Sequence, residues 1–524
     1  MKLFCLKFCA LSLLLVLAFT AFSQQPPPDQ LFHFAEQPGP HAVGLKVINQ
    51  YDYSRTFLSV TNDLGTPTTG ERARPIQTLV WYPASVSSAT KMTVGDYTQL
   101  LATETNFDKP QISSDWQSWI KGMAPTLKDG MWAMLGAVPT AGRFPVVIYA
   151  PSFGAMSWEN ADLCEYLASH GYVVIASPDM GATARTMTMD LDGIEAQARD
   201  ISFLIGYART LPDADVSEVA VAGFSWGGIS NLFAAVRDNR IDALVALDGS
   251  MRYFAGMVKQ SGYVHPGDMT VPLLFFTQGE ISLENIERNH SGPLQLGPSV
   301  LNQWTHGDLI TVHDLALIHQ EHSSMYQRNE DTWKDFAHDR KGDYTRADGI
   351  IGYAWISRYT LHFLDAYLKH DAAALAWLKK TPAENGVPPH LISTDFRPAG
   401  DLPASYEALR IEVGKQGFDH VAAIYAAMKK EKTDFKPGEE SLHEWSTHLV
   451  DEAHLSEAID ILKLTCQLYP ESSDDVESLG ETYLKSGQRQ LAIDAFKKAL
   501  ELDPDNGDAQ EKLKEIQSTK NPPR

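Results

Sequence analysis

The chain has 524 residues, 44% of them hydrophobic and 21% charged. At roughly 100–200 residues per domain, this predicts two to four domains with real cores rather than a disordered chain. Lys and Arg number 44 against 66 Asp and Glu, a net charge of −22, which disfavours nucleic acids and polyanionic membrane surfaces as partners. Four cysteines are too few for a disulfide scaffold.

The chain opens with Lys2 and Lys7, an apolar run from Leu11 to Phe22, and the small-residue exit Ala21-Phe22-Ser23. This pattern predicts a signal peptide over residues 1–23 and export to a periplasmic or secreted location. Its removal takes Cys5 and Cys9 away and leaves Cys164 and Cys466, which are expected to be free and structural.

From Gly39 to Lys380, short apolar runs alternate with helical patterns, which predicts an α/β domain built on a doubly wound, mostly parallel sheet. Strands are expected at Thr78–Tyr82, Pro145–Tyr149, Tyr172–Ala176, Val219–Ala222, Ala243–Leu247 and Pro272–Thr277. Their near-continuous apolar character suits strands buried on both faces. Helices are expected at Asn160–His170, Glu195–Thr210 and Ile229–Arg237. Between Thr98 and Val138 lie Trp116, Trp119, Met123, Met131, Trp132, Met134 and Leu135. These suit either a lid over an acyl pocket or core packing, and helical spacing favours packing.

The sharpest local signal is Gly223-Phe224-Ser225-Trp226-Gly227-Gly228. A bare G-x-S-x-G is weak, but here a buried strand runs in and a helix runs out. That is the setting of a strained turn that lifts a serine hydroxyl above the sheet. A serine needs a base to take its proton and a carboxylate to fix the base's tautomer. Two acids close the next strands, Asp248 after Ala243–Leu247 and Glu280 after Leu273–Gly279, and the cleaner strand favours Asp248. His319 and His322 both follow the apolar run Leu315–Ile318, where a last strand would deliver a base. The small polar residues after His322 favour it over His319. No H-E-x-x-H metal motif occurs, and His443 and His448 are one residue too far apart for one.

Together with Trp81-Tyr82-Pro83 and Ala246-Leu247-Asp248, the blocks Phe144–Ala155 and Leu167–Val174 resemble serine esterases of the α/β-hydrolase superfamily. The likeness is greatest to platelet-activating-factor acetylhydrolases, with dienelactone-hydrolase-like enzymes a step further off. It covers most of Gly39 to His370 and implies a triad of Ser225, Asp248 and His322. It also implies an oxyanion hole from the backbone N–H groups of Phe153 and Trp226. That family usually has His-Gly before the first oxyanion residue, where this chain has Pro151-Ser152.

Thr381 to Ser405 is rich in Pro, Gly and Asp and reads as a linker, placing the catalytic domain at 39–380 and the linker at 381–405. Beyond it, Ala458-Ile459-Asp460 recurs as Ala492-Ile493-Asp494, an offset of 34 residues. With Leu479-Gly480, Tyr483, Gly487, Phe496 and Asp503-Pro504, this second copy resembles the tetratricopeptide repeat. An all-α repeat domain is therefore expected over 406–518, with a degenerate copy at Ser405–Pro437 and a capping helix at Asp508–Ser518. The expectation is an exported serine hydrolase of small or lipid-like carboxylic esters that needs no cofactor or metal. The repeats would offer a surface to a protein or peptide. The rival readings are an inactive hydrolase domain in a binding scaffold, or a peptidase or thioesterase on the same fold.

Overall fold

In the computed structural model, the described residues are 31–518 apart from 63, 87–88, 279–296 and 341. The signal peptide expected at 1–23 and the candidate acid Glu280 lie outside them. The chain divides between Gly400 and Asp401 into two units.

Among the described residues, the first unit holds eleven strands: β1 (Ala42–Thr56), β2 (Ala73–Ala84), β3 (Lys91–Thr93), β4 (Gly130–Leu135), β5 (Phe144–Ala150), β6 (Val173–Ala176), β7 (Ala214–Phe224), β8 (Ala243–Leu247), β9 (Leu273–Gln278), β10 (Leu309–Asp314) and β11 (Ile392–Arg397). They form one sheet in the order β11-β10-β9-β8-β7-β5-β6-β2-β1-β4-β3. The six strands from β6 to β10 run parallel, while β2 pairs antiparallel with β6 and β11 antiparallel with β10. All six strands expected from the sequence are present.

Alternation along the central strands separates two cores. Val147 and Tyr149 of β5, Ala220 and Ala222 of β7, and Val245 and Leu247 of β8 face one layer; their neighbours Val146, Val221 and Leu244 face the other. The first layer is covered by α2 (Ala161–Ser169) and α5 (Arg346–Leu368), the second by α3 (Leu191–Ala208) and α4 (Gly227–Arg237). Both faces are thus sealed, which is why the strands are apolar throughout.

Two boundaries differ from expectation, while the Trp/Met segment packs as its spacing favours. The segment read as a linker supplies the edge strand β11, and Val387 and Leu391 are buried in the core. Its proline-rich flanks and short length hide an edge strand that needs only one hydrogen-bonded side. At the other end Phe32, before Gly39, is buried edge-on against Tyr353 with centroids 5.6 Å apart. The Trp/Met segment packs into the sheet domain: α1 (Ser114–Gly122) brings Trp119 within 6.2 Å of Trp158 and 6.1 Å of Tyr326. Met123, Met131 and Met134 are buried.

The second unit is a run of helices: α6 (Tyr406–Gln416), α7 (Val421–Glu431), α8 (Glu439–Asp451), α9 (Leu455–Leu468), α10 (Ser473–Lys485), α11 (Arg489–Leu502) and α12 (Gly507–Ser518). Ala458 and Ala492, the residues repeated in sequence, are fully buried at helix contacts. Gly480 of α10 lies so close to Phe496 of α11 that a Cβ there would sit 2.9 Å from the ring. Small residues at these crossings set the spacing of the repeats.

Candidate active site

The turn from β7 into α4 carries Ser225 at φ 51°, a left-handed conformation that costs a non-glycine residue energy. Its surroundings hold it there. The Ser225 N–H donates to Leu247 O at 3.0 Å, and its carbonyl accepts from Ser250 N at 2.7 Å. Glycine is required on the helix side, because a Cβ on Gly227 would lie 2.0 Å from Ala150 O. The turn therefore presses against the end of β5, where the Pro151–Gly154 loop begins.

Asp248 follows β8 in a second left-handed conformation, at φ 40°, and is fully buried. Its Oδ2 accepts from His319 Nδ1–H at 2.6 Å, and its Oδ1 accepts from the Tyr253 hydroxyl at 3.1 Å. Burial alone would raise this carboxyl. The His319 hydrogen bond, with the charges of His319, His322 and Arg252, outweighs it and holds the group at about 2. An ionised Asp248 fixes the His319 proton on Nδ1 and leaves Nε2 bare. Ser225 Oγ lies 2.9 Å from that nitrogen, placed to donate its proton.

The histidine on Ser225 is therefore His319, and His322 is not. The strand that delivers the base is β10, which ends at Asp314; the apolar run Leu315–Ile318 is loop, with Ala316, Leu317 and Ile318 buried against the core. His319 opens a 3-10 turn, His319–His322, beside Ser225, and His322 closes that turn on its buried side. His322 is fully buried, with Nε2 3.1 Å from Asp314 Oδ2 and its ring stacked on Phe224 at 6.2 Å. Reading the strand over Leu309–Asp314 in the sequence would have pointed to the earlier histidine.

Phe153 and Trp226 stand together, their rings edge-on at 5.3 Å. Among the described residues, neither backbone N–H donates to a protein acceptor. The loop holding Phe153 is pinned on both sides. Before it, the Ser152 N–H donates to Glu159 Oε2 at 2.8 Å, and the Ser152 hydroxyl donates to Glu159 Oε1. After it, the Gly154 N–H donates to Asp179 at 2.7 Å, and the Gly154 carbonyl accepts from Arg185 at 3.0 Å. Ser152 is thus held by a buried glutamate. Sequence reasoning missed Glu159, seven residues on, since nothing in its neighbours marks it as buried. Burial pushes its carboxyl up to about 7, against the lowering effect of its Ser152 and Tyr149 donors.

Among the described residues, no three His, Cys, Asp or Glu side chains converge as metal ligands would. His443 instead faces Asp475 at 3.3 Å in the repeat unit. Cys164 and Cys466 are free thiols, the first buried.

A sheet of this strand order, with a strained Gly-x-Ser-x-Gly turn after β7 and an acid after β8, has the α/β-hydrolase fold, followed here by a helical unit with a tetratricopeptide repeat. Residues 128–261 match the family model described as chlorophyllase, and residues 478–506 match that of the tetratricopeptide repeat. Among solved structures, a ferulic acid esterase from Streptomyces cinnamoneus aligns at 19% identity. That alignment covers 69% of this chain and 98% of that one, with a TM-score of 0.49. No curated protein matches the chain. The superfamily and a tetratricopeptide repeat expected from the sequence are both found, and the matching model within the superfamily is the chlorophyllase one.

Proposed function

We propose that the chain is a serine hydrolase of carboxylic esters acting through Ser225, His319 and Asp248. The observation that carries this reading is the hydrogen-bonded line from Asp248 through His319 to Ser225, at 2.6 and 2.9 Å, on a strained elbow. Ser225 Oγ attacks the ester carbonyl as its proton passes to His319 Nε2. The C=O electron pair moves onto oxygen, and the Phe153 and Trp226 N–H groups receive that charge, each such donor contributing about 3 kcal/mol. Collapse expels the alcohol, which takes the proton from His319. Water then repeats the sequence on the acyl-enzyme, releasing the acid and restoring Ser225.

The acyl group is small or lipid-like, and the ester rather than amide preference is supported by the chlorophyllase match. The leader predicted in the sequence supports export to the periplasm or beyond. The repeats support a protein or peptide partner. The test is hydrolysis of p-nitrophenyl esters from acetate to long chains by the wild type beside Ser225→Ala. Turnover abolished by the substitution supports the reading, and a folded protein with no turnover on any ester overturns it.

A further inference from the structure

The mechanism uses His319 and leaves a second histidine–carboxylate pair, His322 with Asp314, buried directly behind it. Both ring nitrogens of His322 face acceptors. Nδ1 lies 3.2 Å from His319 O and 3.3 Å from Ile318 O, and Nε2 lies 3.1 Å from Asp314 Oδ2. One proton must sit between Nε2 and the carboxylate, on either partner. In both arrangements Nδ1 carries its own proton and donates it to the main chain of the turn that begins at His319. Asp314 is the last residue of β10 and His322 the last of the turn. The pair therefore ties the turn to the strand end across the loop 315–318.

Other contacts hold the outer side of this loop. Arg340 donates to Ala316 O at 2.5 Å and pairs with Glu321, and Gln327 donates to Glu321 O at 2.6 Å. None of these reaches the His319 carbonyl. His322 does, and its ring also stacks at 18° on Phe224, the residue before the nucleophile. It touches the backbone of the base and the neighbour of the serine at once.

We infer that His322 is a positioning residue: its Nδ1–H, aligned by Asp314, fixes the main chain of His319 so that Nε2 meets Ser225 Oγ in line. The inference rests on the Ser225–His319–Asp248 reading. A misplacement of about 1 Å in a catalytic group costs roughly 100-fold in rate, so one hydrogen bond to the base's backbone is enough to be read in kcat.

The test compares His322→Asn with His322→Gln in the full chain, with Ser225→Ala and His319→Ala as references. An Asn amide stands where Nδ1 was and keeps the donation to His319 O. A Gln amide stands nearer Nε2, keeps Asp314 and loses the carbonyl. The expected result is kcat lowered roughly 10- to 100-fold in His322→Gln at nearly unchanged KM, with His322→Asn within about fivefold of wild type. The rate at which an alkyl fluorophosphonate modifies Ser225 should fall in parallel, since that step also needs His319 to take the serine proton. A merely structural role would lower the melting temperature of both variants and leave their kcat values alike, which overturns the inference. Should the histidine variants not fold, Asp314→Asn and Asp314→Leu carry the same question. The amide can donate to a bare Nε2 and keep the Nδ1 proton on the carbonyl, whereas leucine cannot, so only Asp314→Leu should lose kcat. Equal kcat in that pair also overturns it. If Ser225→Ala and His319→Ala retain turnover, the triad reading fails. If they are inactive while His322→Gln matches wild type, the positioning role alone fails.

Discussion

His319 and His322 stand at the two ends of one 3-10 turn, and each sets a ring nitrogen against a different buried carboxylate: Asp248 at 2.6 Å and Asp314 at 3.1 Å. Two identical side chains three residues apart thus receive different work from two strand ends. Asp248 closes β8 beside the elbow and leaves its histidine with Nε2 free for Ser225. Asp314 closes β10 beneath the turn and occupies Nε2 of the other, which leaves His322 with no free acceptor for a serine proton.

In the proposed mechanism Ser225 and His319 act as one unit, so their losses should not add. Ser225→Ala and His319→Ala should each lower kcat/KM for a p-nitrophenyl ester by about 1,000-fold or more, and the double variant should be no slower than the slower single. A double variant slower by the product of the two losses would show that the residues act independently.

Asp248→Asn should be as damaging for a different reason. The amide offers an N–H toward Nδ1, favouring the tautomer whose Nε2 carries the proton, so Ser225 faces a donor and kcat should fall about 10,000-fold. The same carboxylate affects acid stability. Its native value of about 2 lies below the ordinary 3.8, so its stabilisation is complete above pH 4 and is lost as pH falls through 2. The melting-temperature gap between wild type and Asp248→Asn should hold steady from pH 7 to 4 and close below that.

Much of this was legible in the sequence because the central strands are buried on both faces and announce themselves as apolar runs. Gly223–Gly228 could be read as an elbow because steric crowding at Ala150 O leaves no alternative to glycine at Gly227. The sequence points to His322 where the structure sets His319 against Ser225, because Leu315–Ile318 is as apolar as a strand, yet its side chains fill the core from a loop. Periodicity does not separate the two over four residues. The edge strand Ile392–Arg397 was hidden for the opposite reason, being half-exposed and flanked by prolines. The Glu159 bond to Ser152 depends on a side chain folding back on its own loop, which no spacing rule signals.

Glu159 should impose a pH dependence of opposite sign to that of Asp248. Burial raises its carboxyl from 4.5 to about 7, so the folded state holds a proton that the unfolded chain has released. Stability is then lost as pH rises from about 4.5 to 7. Glu159→Gln removes that proton exchange. Its melting temperature relative to wild type should rise across this interval in differential scanning fluorimetry, and a difference flat with pH would contradict the assignment.

Trp119 separates packing from substrate binding. Its ring lies against Trp116, Trp158 and Tyr326, all within 6.2 Å between centroids. Trp119→Ala should destabilise the fold by about 2–3 kcal/mol, less than for a fully buried tryptophan, and lower the melting temperature. Its profile of relative rates across acyl chain lengths should match that of wild type. A shifted chain-length optimum with an unchanged melting temperature would instead make Trp119 part of an acyl pocket.

Gly480 tests the repeats in the same way. A Cβ there would meet the Phe496 ring at 2.9 Å, and Phe496 is fully buried, so the ring has little room to withdraw. Gly480→Ala should therefore separate α10 from α11 slightly, at a cost of about 1–3 kcal/mol, as overpacking does elsewhere. The gain of alanine over glycine in helix propensity, about 1 kcal/mol, offsets part of this. Gly480→Val adds bulk without that gain and should be clearly worse. Hydrogen exchange read by mass spectrometry would show the effect as faster exchange over Ser473–Leu502, while ester hydrolysis by Ser225 stays at the wild-type rate. Equal protection in the two variants would mean that the close approach of these helices is not what sets the stability of the repeat.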